Sequence, residues 1–178
     1  MRRAISALAL LAFLGAGRAD IDTLDANARA GGNDKPVAVQ IGKALFTTQW
    51  AAQVLKVYVD SAGARTIAGI TLSGVKFHHP LTREAFASEV SAIAARALAA
   101  APVEEVDVWC VVPLSVGKGV VVSGDNAKPT KRTVFTVTVR RGETPASVQN
   151  RILRGKTVYW DTLWARQALG GHPAKQRT

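Results

Sequence analysis

The chain has 178 residues, 48% of them apolar and 6% aromatic, with 23 Lys and Arg against 13 Asp and Glu and a single Cys. This length and apolar content fit one globular domain and exclude a disordered chain, a collagenous repeat and a disulfide-stapled miniprotein. The net charge of +10 favours an anionic partner.

The first residues read as a secretory signal peptide. Arg2 and Arg3 precede an apolar run from Ala4 to Leu14, and Gly17-Arg18-Ala19 supplies small residues around an expected cut between Ala19 and Asp20. The run is shorter than the about 20 apolar residues of a spanning helix. Retention as an anchor is the alternative to cleavage. The arginine pair is not extended into a fuller twin-arginine signal, and no Cys follows for acylation. The expected product is exported to a periplasmic or extracellular location, with no transmembrane helix after signal removal.

From Asp20 to Pro36 there is little apolar periodicity, and Gly31-Gly32-Asn33-Asp34-Lys35-Pro36 reads as a flexible lead-in. Val37, Val39 and Ile41 alternate like a strand, while Ala44 to Gln53 fits either a helical turn or an extended segment. Val54 to Val59 is β-rich and stops at Asp60-Ser61-Ala62-Gly63, and a second run from Thr66 to His78 completes a β-hairpin. Gly69 and Gly74 within that run mark a bulge or a close backbone approach.

Pro80 ends the hairpin, and Thr82 is a plausible N-cap. Phe86, Val90, Ile93, Ala97 and Leu98 then recur at helical steps on one face, to about Ala100. Glu105 to Val112 follows as a strand, with Val106, Val108, Cys110 and Val112 on one side and Asp107 and Trp109 on the other. Pro113 to Arg132 is a long, glycine-rich, basic connection that holds the short run Val120 to Val122. Thr133 to Arg140 sets Phe135, Val137 and Val139 against Thr136 and Thr138. Thr144-Pro145 starts a short helix that Gly155 can close, and a last helical segment runs from about Asp161 to Leu169.

The order strand, strand, helix, strand, strand, helix predicts an α+β domain over 37–171, with a mainly antiparallel sheet carrying helices on one face. Residues 172–178 form a basic tail. The other sheet face is either solvated or a recognition surface involving Tyr58 and Trp109. Trp160 and Trp164, four apart, read as core packing. Cys110, alone and flanked by valines, reads as a core residue that can form no intramolecular disulfide.

Charge divides the chain. Residues 20–127 carry nine Lys and Arg against eleven acids, whereas 128–178 carry eleven against two. A solvated surface is the plainer explanation of such a run. The sharper one is an anion-binding region using Lys118, Lys128, Lys131, Arg132, Arg140 and Arg141. Gly117-Lys118-Gly119 only loosely resembles a phosphate cradle, since no helix N-terminus follows it. Nucleic acid is disfavoured because aromatic residues are not interleaved with these bases.

The groups available for chemistry are His78, His79, Asp107, Ser123, Asp125 and the Lys-rich loop. Adjacent histidines on a strand point to opposite faces and do not jointly hold a metal. No GxSxG, HExxH, GxxxxGK[ST] or CxxC pattern occurs. The expectation is therefore a non-enzymatic exported module, without metal or cofactor, that binds an anionic polymer, a membrane surface or an acidic partner protein. The alternative is a small hydrolase-like enzyme with a site at His78, His79 and Asp107. The sequence names neither the ligand nor the oligomeric state.

Overall fold

The computed structural model describes residues 26–114 and 131–170. Six strands, β1 (Ala30–Gly31), β2 (Ala52–Ala62), β3 (Arg65–Phe77), β4 (Glu105–Pro113), β5 (Lys131–Arg140) and β6 (Val158–Trp160), lie side by side in chain order. Helices α1 (Lys35–Phe46), α2 (Arg83–Ala100), α3 (Pro145–Leu153) and α4 (Thr162–Ala168) join a helical turn over residues 26–29.

The α+β class stands, and the sheet is mixed: three of its five pairings are antiparallel, as expected, and two are parallel. β2 with β3, β4 with β5, and β5 with β6 are antiparallel, whereas β1 with β2 and β3 with β4 are parallel. The cause is α2. A helix leaving one strand and returning to its neighbour brings the chain back in the same direction, which a tight turn cannot do.

Residues 35–46 form a helix where the alternation of Val37, Val39 and Ile41 suggested a strand. Asp34 accepts a bond from the Val37 amide, Pro36 sits in the first turn, and Ala38, Ile41, Gly42 and Leu45 are buried at helical spacing. The expected lead-in is tied down from residue 26 onward. Ala30 and Gly31 pair with Val57 and Tyr58, and Asn33 exchanges bonds with Ser61.

The core lies between the helices and one face of the sheet. Thr82 caps α2 by accepting from the Ala85 amide, and Phe86, Val90, Ile93, Ala97 and Leu98 are buried with Val106, Val108 and Cys110. Phe86 is fully enclosed, with ring centroids of Phe135, Trp164 and Trp160 at 5.1, 5.7 and 5.8 Å. Gly74 is a close approach, since an added Cβ would meet Val112 at 2.8 Å. No helix among the described residues is long and apolar enough to cross a membrane.

Candidate binding surface

Strand alternation sends every second side chain away from the helices. The register aligns these into rows across the sheet. One row runs Lys56, Thr71, Trp109, Thr136, Tyr159, and the next runs Tyr58, Gly69, Asp107, Thr138. Five strands at about 4.8 Å spacing make the first row about 19 Å long. Trp109, Thr71 and Thr136 are partly exposed, and Tyr159 is 48% exposed.

Two aromatic rings on this face lie over glycines. The six-membered ring of Trp109 occupies the place a Cβ on Gly69 would take, and a Cβ on Gly31 would come 3.2 Å from Tyr58 Cδ1. The Lys56 ammonium sits 4.3 Å from the Tyr58 ring centre. Thr138 donates its hydroxyl to Asp107, fixing that carboxylate beside Trp109.

The four tryptophans divide by their indole N–H groups. Trp50 donates to the Leu45 carbonyl at 2.9 Å, Trp160 to Ile152 at 3.3 Å and Trp164 to Gly74 at 2.9 Å. Trp109 has no acceptor among the described residues.

At the end of this face, where β6 stops opposite Val137, a cleft of about 440 Å³ opens. Its walls carry Arg65, Arg140 and Arg151 with Glu105 and Glu143. Glu105, nearly buried, accepts from Arg65 at 2.9 Å and from Arg140 at 3.3 Å. Glu143 accepts from Arg151 at 2.9 Å, and Arg151 also donates to the Thr138 carbonyl that β6 leaves unpaired. The lining thus carries three guanidiniums against two carboxylates. Arg65 and Arg140 have side chains 58% and 75% exposed, which leaves their forks accessible from solvent.

The basic residues expected to bind an anion are not brought into one patch among the described residues. Lys118 and Lys128 lie outside the described residues, as do residues 1–19, the run Val120 to Val122, Ser123, Asp125 and the tail 172–178. Lys131 is exposed at the start of β5, and Arg132 pairs with Asp161, the N-cap of α4. Arg140 lies eight residues along the strand from Arg132, about 25 Å away, in the cleft. Arg141 does structural work instead. Its guanidinium donates to the carbonyls of Leu98 and Ala101 at 2.8 Å and of Val103 at 2.9 Å, closing the C-terminal end of α2.

His78 and Asp107 do not meet. Asp107 pairs in register with Gly69, and His78 lies nine residues beyond Gly69, past the end of β3, upwards of about 20 Å away. His78 lines a different cleft, of about 380 Å³, with Arg29, Trp50 and Gln53, where no carboxylate or thiol accompanies it. His79 is exposed, with Nδ1 3.2 Å from the Pro80 carbonyl. No group of three or more His, Cys, Asp or Glu that could hold a metal occurs among the described residues. Cys110 is buried and its thiol is pushed up to about 12 by desolvation, so it is a core side chain and not a nucleophile.

Arg65, Arg151 and Tyr159 were not singled out by sequence reasoning. Arg65 and Arg151 are far apart in the chain and gather only because β4 pairs with both β3 and β5, and Tyr159 lies on a three-residue strand. No protein-family model, curated protein or solved structure matches the chain.

Proposed function

We propose that the chain is a non-enzymatic binding module for an anionic partner, acting through the bases of its C-terminal third, and that it is exported with residues 1–19 cut off as its signal peptide. The observation that carries this reading is electrostatic. Residues 131–170 hold eight Lys and Arg against two acids, and both acids, Glu143 and Asp161, are already ion-paired. Of the remaining bases, Lys131, Arg154, Lys156 and Arg166 face solvent, where their charge attracts anions over about 8 Å at physiological ionic strength.

Two triple variants of equal charge change test it. Reversing exposed Lys131, Arg154 and Lys156 to Glu should weaken retention on an anionic matrix more than reversing exposed Lys35, Lys43 and Lys76. Equal losses would reduce the effect to bulk charge and refute a local surface. Mass spectrometry of the exported protein should find Asp20 at the N-terminus; an intact Met1 on a cytoplasmic protein would refute export.

A further inference from the structure

We propose that the sheet face opposite the helices, together with the arginine cleft at its end, is a binding surface for an acidic polysaccharide, a chain of sugar rings bearing carboxylates. This rests on the anion-binding reading above and narrows it to one class of polymer and one face of the fold.

Three features point to sugar. Trp109 lies over the sheet at Gly69 and is partly exposed, and Tyr159 stands two strands away in the same row. Pyranose rings offer C–H groups to aromatic faces, and a polymer offers them repeatedly along the row. Between and beside the rings stand the hydroxyls of Thr71 and Thr136, and the Trp109 N–H has no acceptor among the described residues. A buried or half-buried tryptophan ordinarily places its N–H on a protein group, as the other three do here. A sugar hydroxyl would supply the acceptor.

The charge pattern separates this polymer from a nucleic acid. Asp107 sits at the centre of the face, held by Thr138 next to Trp109. A carboxylate there accepts bonds from sugar hydroxyls, donors that a DNA backbone does not carry. The bases are set at the margins, with Lys56 at one end of the row and Arg65 and Arg140 in the cleft. That suits a chain that lays hydroxyls over the centre of the face and brings carboxylates to its margins. The guanidinium forks match carboxylate geometry.

The test is calorimetric titration of the full chain at low salt with three probes: oligogalacturonate, an uncharged cello-oligosaccharide and a single-stranded oligodeoxynucleotide. Oligogalacturonate should bind most tightly. Trp109→Ala and Tyr159→Ala should each weaken it about tenfold, the scale of one lost stacking contact. Trp109→Phe should bind within a few-fold of the parent, and Arg65→Ala with Arg140→Ala should erase the preference for the acidic over the uncharged glycan. If Trp109→Ala fails to fold by circular dichroism, Tyr159→Ala decides alone, because that side chain is largely outside the core.

Unchanged oligogalacturonate affinity in the aromatic variants would overturn the sheet-face surface while leaving anion binding in place. Tighter binding of the oligonucleotide would overturn the glycan in favour of a nucleic acid. Failure to bind either charged probe would overturn this proposal and the anion-binding reading together.

Discussion

On the helix side of the sheet, Trp160 and Trp164 pack with Phe86 and Phe135 and donate their N–H groups to backbone carbonyls. On the other side, Trp109 and Tyr58 lie over glycines, Tyr159 is exposed, and polar threonines fill the positions between them. The same residue types thus serve two ends. Where helices cover the sheet, aromatics fill volume and their polar atoms are satisfied internally. Where no described residue covers it, two of the rings rest against glycines of the sheet.

Substitutions on the two sides should therefore differ in kind. The largest effect belongs to Phe86→Ala, which removes a fully buried ring touching three other aromatics and should cost about 3–5 kcal/mol in denaturant melts. A change within noise would mean that the α2 stripe does not carry the core. Arg141→Ala comes next, at about 1.5–3 kcal/mol, because three carbonyls at the end of α2 lose a charged donor. Beyond the single unit of charge it should not alter anion retention, since its donors are already engaged within the fold.

On the open side, Gly69→Ala should cost about 1–3 kcal/mol, because the new methyl takes the space of the Trp109 ring and the ring must move. Adding Trp109→Ala to it should recover much of that loss by double-mutant cycle, as expected for two groups in contact. Additive costs would show that the ring does not rest on residue 69. The smallest effect is chemical. With its thiol near 12, Cys110 is thiolate in only about one molecule in ten thousand near pH 8, and it should resist a thiol reagent until the chain unfolds. Prompt labelling of the native protein would contradict its burial.

What could be read from the sequence follows the strength of local periodicity. The α2 stripe, the Val106-Val108-Cys110 side of β4 and the Phe135-Val137-Val139 side of β5 each repeat over enough residues to set their own face. α1 was obscured because Val37, Val39 and Ile41 satisfy a period of two, while the residues completing its helical face include Ala38 and Gly42, too small to register as hydrophobic signals. Strand direction was hidden for another reason: hairpin, helix, hairpin is compatible with either orientation of the second hairpin until the packing of α2 is known. For the binding surface, Tyr58 and Trp109 were recognisable as outward-facing by alternation. The glycine inside β3 was the available signal that a ring from a neighbouring strand crosses there. The arginine cleft had no local signal, because its members come from β3, β5 and α3.

The most direct test of the open-face surface is a titration of isotopically labelled protein with oligogalacturonate, followed at the four indole N–H signals. The Trp109 signal should move while those of Trp50, Trp160 and Trp164, each held by a backbone carbonyl, stay in place. Backbone shifts should follow the row from Lys56 through Thr71 and Thr136 to Tyr159 and extend to Arg65 and Arg140. Movement of the three carbonyl-bound indoles with Trp109 unchanged, or shifts confined to the helices, would contradict it.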